Sequence, residues 1–167
     1  EQYEESPYPR WVKLPIPVRA VTITELCERF ELRLHSRGIG QVAKPEILIA
    51  GCGTGQHSIG TASRFVNCEV TAIDLSLASL GYARRKTKEF GVTNLTYLQA
   101  DILDLHKLAR DFDIVESAGV LHHMEDPMAG WRVLVDLLRP GGLMRIGLYS
   151  ELARRQIVEV RGEINSH

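Results

Sequence analysis

From Glu46 onward the chain alternates short apolar runs with stretches that repeat at helical spacing. The runs are 46–50 (EILIA), 69–73 (EVTAI), 95–99 (LTYLQ), 112–116 (FDIVE) and 143–148 (LMRIGL). Each is bounded by Gly, Asn, Asp or Pro and carries β-branched residues, the signature of strands. Helical patterns fall between them at about 55–65, 76–90, 104–109 and 127–138, and a last helix is expected over 151–161. Strands separated by helices pair in parallel through right-handed crossovers, so the expected fold is an α/β open sheet with helices on both faces.

The N-terminal part reads differently. Pro7, Pro9, Pro15 and Pro17 break regular helix and favour an extended arm over residues 1–20. Thr22 with Glu25 forms a capping-box pattern, which opens a helix expected to run to about Ser36. Leu26, Phe30 and Leu34 would lie on its buried face, and Gly38 would cap its C-terminus. A boundary near Val42–Pro45 divides an arm and helix (1–42) from the α/β unit (43–167).

Composition narrows the function. The chain has 167 residues, 44 % hydrophobic and 25 % charged, enough for one domain with a core. A net charge of −1 argues against a nucleic-acid backbone as partner. The basic cluster Arg84, Arg85, Lys86 and Lys88 reads as a solvated helix face. Three cysteines, Cys27, Cys52 and Cys68, form no CxxC, and His122 and His123 are adjacent rather than at ligand spacing, so no metal site is expected. No apolar run approaches a membrane span, and the acidic start EQYEESPYPR is no signal peptide; a cytoplasmic location is expected.

The stretch GCGTG, Gly51 to Gly55, directly follows the first strand and precedes a helix. In an open α/β sheet this is where ligands sit, and glycines there allow a tight turn and close approach to backbone N–H groups. A dinucleotide fingerprint would require a third glycine where Gln56 stands. Asp74, ending the second strand, could hold a ribose hydroxyl of either kind of nucleoside, or could merely cap the helix that follows.

Five segments together carry a resemblance. GCGTG, AIDLS (72–76), QADI (99–102), VLHHM (120–124) and LRPGG (138–142) resemble, in order and spacing, the signatures of class I S-adenosylmethionine-dependent methyltransferases. YPRW (8–11), ILIAGCGTGQ and GLYSELAR are more narrowly similar to methyltransferase domains attached to tetratricopeptide-repeat proteins in bacteria. The resemblance implies a Rossmann-like sheet of order 3-2-1-4-5 and S-adenosyl-L-methionine as cofactor, with S-adenosyl-L-homocysteine as product. The backbone of Ala50, Gly51, Cys52, Gly53 and Gly55 would line the methionine and ribose. Asp74 would accept from the ribose hydroxyls with Leu75 against the adenine. Asp101 would accept from the adenine amino group with Ile102 nearby, and Glu116, Ser117 and Gly119 would border the methionine end.

Bland readings stand beside these. Asp101 could be a plain turn residue, and Arg139-Pro140-Gly141-Gly142 reads as a helix stop and turn before the fifth strand. His122 and His123 are the candidates for a catalytic base, against a structural or pocket-lining role. Tyr8, Arg10 and Trp11 could cover cofactor or acceptor, or seal one side of the sheet.

The sequence departs from the family twice. Ile49 stands where an acid is usual two residues before the first glycine, so that acid's contribution is either missing or supplied elsewhere, Glu116 being one candidate. Family strands 6 and 7 have no counterpart before His167, so an open edge suited to homodimer formation is expected. Three functions follow: methyl transfer to an unidentified small-molecule or protein acceptor; a non-catalytic S-adenosylmethionine-binding module of a larger interaction protein; and a nicotinamide oxidoreductase, which Gln56 disfavours.

Overall fold

A computed structural model describes residues 11–34 and 38–149. The segment Tyr8 to Arg10 and the helix expected over 151–161 lie outside them. The elements in chain order are α1 (Ile23–Arg29), β1 (Glu46–Ala50), α2 (Gln56–Arg64), β2 (Glu69–Asp74), α3 (Leu77–Glu89), β3 (Leu95–Gln99), β4 (Phe112–Ala118), α4 (Pro127–Asp136) and β5 (Leu138–Gly147). Short 3₁₀ turns cover Ile39–Gln41, Ile102–Leu108 and Leu121–His123. The strands form one five-stranded sheet of order β3-β2-β1-β4-β5, and every pairing is parallel. The expected order is the observed one.

Both faces of the sheet are covered, which is why its central strands read as continuous apolar runs. Ile47 and Ile49 of β1, Val70 and Ala72 of β2, Tyr97 and Ile114 pack with Ile23 and Cys27 of α1, Ala62 of α2 and Leu80 and Ala83 of α3. Leu48, Ala50, Ile73 and Val115 point the other way, onto Ile102 and Leu105 of the 3₁₀ turn and Leu134 of α4. The two-residue alternation breaks once. Phe112 joins the second core although Ile114 faces the first, and between them the β4–β5 register slips, Phe112 pairing with Leu138 and Ile114 with Leu143.

That slip corrects the expected fifth strand. β5 begins at Leu138, not at 143, because Leu138 already pairs with Phe112, and the Pro140-Gly141-Gly142 turn is looped out inside the strand. Only the helix stop, at Leu137, falls where expected. The short helix expected near 104–109 is a 3₁₀ turn that starts earlier, at Ile102, where Asp101 caps it.

The first helix is shorter than its pattern. The capping box of Thr22 and Glu25 is present, but α1 stops at Arg29. Glu31 adopts φ 53°, and Leu32 N donates to Cys27 O (2.8 Å) while Glu31 N donates to Glu28 O (3.1 Å). This pair of bonds is a Schellman closure with a glutamate in the left-handed position. Phe30 is left 63 % exposed, and the buried pair is Ile23 with Cys27. Gly38 does not cap this helix; it starts the 3₁₀ turn at Ile39 with φ −57°.

At the N-terminal ends of the strands four charges interlock. Glu46 pairs with Arg110 (2.5 Å) and with Arg139, and Asp113 pairs with Arg139 (2.7 Å) while accepting from Glu46 N (2.9 Å). The opposite ends carry the candidate site.

Candidate functional site

β1 pairs with β2 on one side and β4 on the other, so the chain leaves the sheet in opposite directions beyond their carboxyl ends and opens a crevice there. The glycine loop fills its β1 side. Gly51, Gly53 and Gly55 have φ of 77°, 52° and 83°, values that side chains resist. A Cβ on Gly51 would stand 2.3 Å from Val120 Cγ2, and one on Gly55 would stand 2.6 Å from the Ala83 Cβ and 2.7 Å from the Tyr97 hydroxyl. Neighbouring side chains therefore demand glycine at both places, before any ligand is considered.

The loop's amides are also spoken for. Gly51 N and Cys52 N both donate to Ile73 O (2.9 and 2.8 Å), and Gly55 N donates to Cys52 O (3.0 Å). Gly53 N donates to Asp74 Oδ2 at 2.7 Å. The sequence expectation of N–H groups turned toward a ligand is not what these four amides do. With their donors committed, these four amides form no cradle for a pyrophosphate. Cys52 is buried, and burial followed by the nearby Asp74 charge pushes its thiol up, so no thiolate is at hand.

Asp74 is the organiser of the loop. Besides Gly53 N, it accepts from Ser76 N through Oδ1 at 3.0 Å. It does not cap α3, since Ser76 does so by accepting from Ser79 N (3.1 Å). Each Asp74 oxygen retains a second lone-pair direction. Leu75 beside it is 63 % exposed, an apolar face at the crevice rim. Asp101 lies at the adjoining end of β3, where Ala100 N donates to Asp74 O (3.2 Å). Its Oδ1 accepts from Leu103 N (2.9 Å), so Asp101 does act as a capping residue, and Ile102 is buried behind it.

On the β4 side lies a cluster that sequence reasoning named only in part. The register sets Ile49, Glu116 and Arg145 side by side on β1, β4 and β5. Glu116 is 4 % exposed. Its Oε2 accepts from Thr61 Oγ1 (3.0 Å) and lies 2.5 Å from His57 Nε2, both on the inner face of α2 one turn apart. Arg145 reaches the same His57 nitrogen at 3.2 Å. Burial pushes the Glu116 carboxyl up, but the contact with His57, joined by Thr61 and the Arg145 charge, outweighs it and holds the group below its ordinary value. His57 was missed. The available signal was a glutamate in an otherwise apolar strand, which must find partners.

Ser117, next on β4, is 1 % exposed, and its hydroxyl has no hydrogen-bond partner among the described residues. Gly119 follows with φ 76° and donates to Gly147 O (2.9 Å). His122 and His123 lie on the 3₁₀ turn beyond, their Nε2 atoms 3.1 Å apart, and the Tyr149 ring stacks on His122 at 4.0 Å between centroids. The two histidines touch each other. Trp11 is buried and seals the outer side of the loop. Its indole donates to Thr54 O (3.3 Å) and Oγ1 (3.2 Å), and its own carbonyl accepts from Tyr82 Oη (2.5 Å).

The donor set, carboxylates and carbonyls with an orphaned hydroxyl and an exposed leucine, fits a ligand with hydroxyls, a cation and a flat apolar ring. Comparison with known proteins agrees with this architecture. The family described as "Methyltransferase domain" matches residues 47–142. This chain belongs to that family. An uncharacterized protein of Synechococcus sp. is 37 % identical over 125 residues, which are 74 % of this chain and 30 % of that protein. A ubiquinone biosynthesis O-methyltransferase of Marinobacter nauticus is 36 % identical over 109 residues, covering 62 % of this chain and 43 % of that enzyme. This chain thus spans less than half the length of either relative. The crystal structure of an S-adenosylmethionine-dependent methyltransferase from Clostridium acetobutylicum superposes with a TM-score of 0.64 at 22 % identity, over 81 % of this chain and 51 % of that one, which is a likeness of fold. Among the described residues no helix is long and apolar enough to cross a membrane, and no group of three or more His, Cys, Asp or Glu could hold a metal ion.

Proposed function

We propose that this domain binds S-adenosyl-L-methionine and transfers its methyl group to a nucleophilic acceptor, leaving S-adenosyl-L-homocysteine. The observation that carries the reading is the Asp74–Gly53 bond beside the exposed Leu75, at the switch point of a methyltransferase-family sheet. Asp74 would accept from the ribose hydroxyls through its remaining lone pairs, and Leu75 would cover one face of the adenine. Asp101 would accept from the adenine amino group, with Ile102 packed behind. The backbone from Ala50 to Gly55 would follow the ribose and methionine, which Glu116, Ser117 and Gly119 would border.

The cofactor supplies a methyl group already activated on a sulfonium sulfur. The chain's part is to hold donor and acceptor in line and keep water out. As the acceptor forms its bond to carbon and the carbon–sulfur bond breaks, any acceptor proton must leave, and His122 or His123 at the crevice mouth is the group we assign to take it. The acceptor is a small molecule or a protein; the Marinobacter relative is an O-methyltransferase of ubiquinone biosynthesis.

A second reading, a cofactor-binding module in a larger interaction protein, draws on the 30 % share of the Synechococcus relative that the chain covers; its tetratricopeptide-repeat form rests on the sequence resemblance alone. In either case residues 43–167 would form the cofactor-binding unit, with 1–42 packed on it. Calorimetric titration with S-adenosylmethionine, S-adenosylhomocysteine and NAD tests the cofactor. Binding of the first two is expected, weakened by Asp74→Ala and Gly53→Val; binding of NAD alone overturns it. Transfer of label from the cofactor into a cell extract separates catalyst from silent module.

A further inference from the structure

The N-terminal arm is pinned at both ends of α2. Trp11 is bound to Thr54 ahead of the helix, and Val21 N donates to Arg64 O (2.8 Å) at its last residue. The chain between them bridges the helix without closing on it, leaving a cavity of about 310 Å³, the size of a small-molecule site. Leu14, Pro15 and Pro17 line it from the arm, and His57, Gly60 and Arg64 line it from α2. Gly60 stands mid-helix, where glycine is weaker than alanine. The fold does not ask for it: its φ is not positive, and a Cβ built there meets no atom within 4 Å. The charges on this wall are unbalanced. Arg64 is half-buried, and its guanidinium has no hydrogen-bond or ion-pair partner among the described residues. His57 Nε2 lies 2.5 Å from Glu116 Oε2 and 3.2 Å from Arg145 Nη1. Glu116 is buried and already serves His57 and Thr61, so it does not answer Arg64. Among the described residues no Asp or Glu lines the cavity. Apolar walls with one unanswered guanidinium complement a carboxylate on an apolar body.

We infer that this bridged cavity binds a small carboxylic acid with an apolar body, its acid group on Arg64 and its body between Gly60 and the two prolines. The inference goes beyond the S-adenosyl reading and does not rest on it, since the arm, Gly60 and Arg64 have no part in the cofactor site proposed above. His57 is the shared wall: it lines the cavity and holds Glu116 of the crevice. An occupant therefore stands beside the crevice without taking its contacts. With the arm pinned at both ends and stiffened by Pro15 and Pro17, the walls are in place before a ligand arrives.

The test uses two probes with one body, hydrocinnamate and the uncharged hydrocinnamyl alcohol, in amide chemical-shift titrations. The acid is expected to saturate, with shifts at the Gly60 and Arg64 amides, and the alcohol to bind about tenfold more weakly, as for a lost charge-assisted bond. Arg64→Gln should bring the acid down to the affinity of the alcohol. Gly60→Leu should abolish binding of both probes while its melting temperature stays level or rises, because leucine is the better helix former and meets no protein atom at its Cβ. Should Gly60→Leu melt lower instead, Arg64→Gln still decides. No saturable binding of the acid, equal affinity for acid and alcohol, or binding unchanged in the variants overturns the inference. Displacement of the acid by saturating S-adenosylhomocysteine also overturns it, because the acid would then lie in the crevice.

Discussion

The indole of Trp11 is hydrogen-bonded to Thr54, the residue between the second and third glycines of the loop, through both its carbonyl and its hydroxyl. An arm residue far away in sequence thus holds the loop from outside while Asp74 holds it from the crevice. Trp11→Phe and Thr54→Val should each lower stability. In a urea-denaturation cycle the pair should couple by about 1 kcal/mol. Strict additivity would mean the contact is idle.

Gly51→Ala should cost roughly 2–4 kcal/mol, from positive φ together with the clash against Val120. Val120→Ala in the same chain should return part of that loss, since it removes the methyls in the way. The same Val120→Ala should give nothing back to Gly55→Ala, whose obstacles are Ala83 and Tyr97. Thermal melts of the four variants check this.

Glu31 occupies a left-handed position that glycine takes without strain. Glu31→Gly should therefore raise stability by about 0.5–1 kcal/mol, the relief of strain less the added freedom of the unfolded chain. A lowered melting temperature would show that the Schellman closure does not persist in solution.

Acid should expose the charge cluster at the N-terminal ends of the strands. The Arg139 bond, with Arg110, holds the Glu46 carboxyl below its ordinary 4.5 despite partial burial. A carboxyl depressed in the folded state stabilises above its unfolded value, and that share is lost as pH falls below about 4.5 toward the folded value. Glu46→Gln should lower stability at pH 7 and flatten the decline between about pH 4.5 and 3, measured by urea midpoints. An unchanged slope would assign acid lability elsewhere.

Much of the fold was legible because the strands are short, largely apolar runs and helices between them carry caps, such as Ser76 before α3 and Asp126 before α4. Where reading failed, two local signals competed. Leu26, Phe30 and Leu34 kept helical spacing past the point where Glu31 turned the backbone; Ile23 and Cys27 are buried, Leu26 and Leu34 pack partly on the same core, and Phe30 is left exposed. In β5, Pro140 and Gly141 looked like a boundary, but the slip against β4 absorbs them within the strand. The glycines were visible while their cause was not: Val120, Ala83 and Tyr97 are remote in sequence, and only the fold brings them to the loop. His57 escaped for the same reason, its partner Glu116 lying three strands further along the chain, on β4.

The interlocked Glu46, Asp113, Arg110 and Arg139 stand at the far end of β1 from the glycine loop, five residues or roughly 16 Å away along the strand. At that separation perturbations are close to independent. The sheet therefore works as an insulating spacer between a fastening and a receptacle. Changes to the fastening would set how much heat or acid the domain survives and leave ligand affinity alone, so the site can be altered in a reinforced background and each effect read by itself.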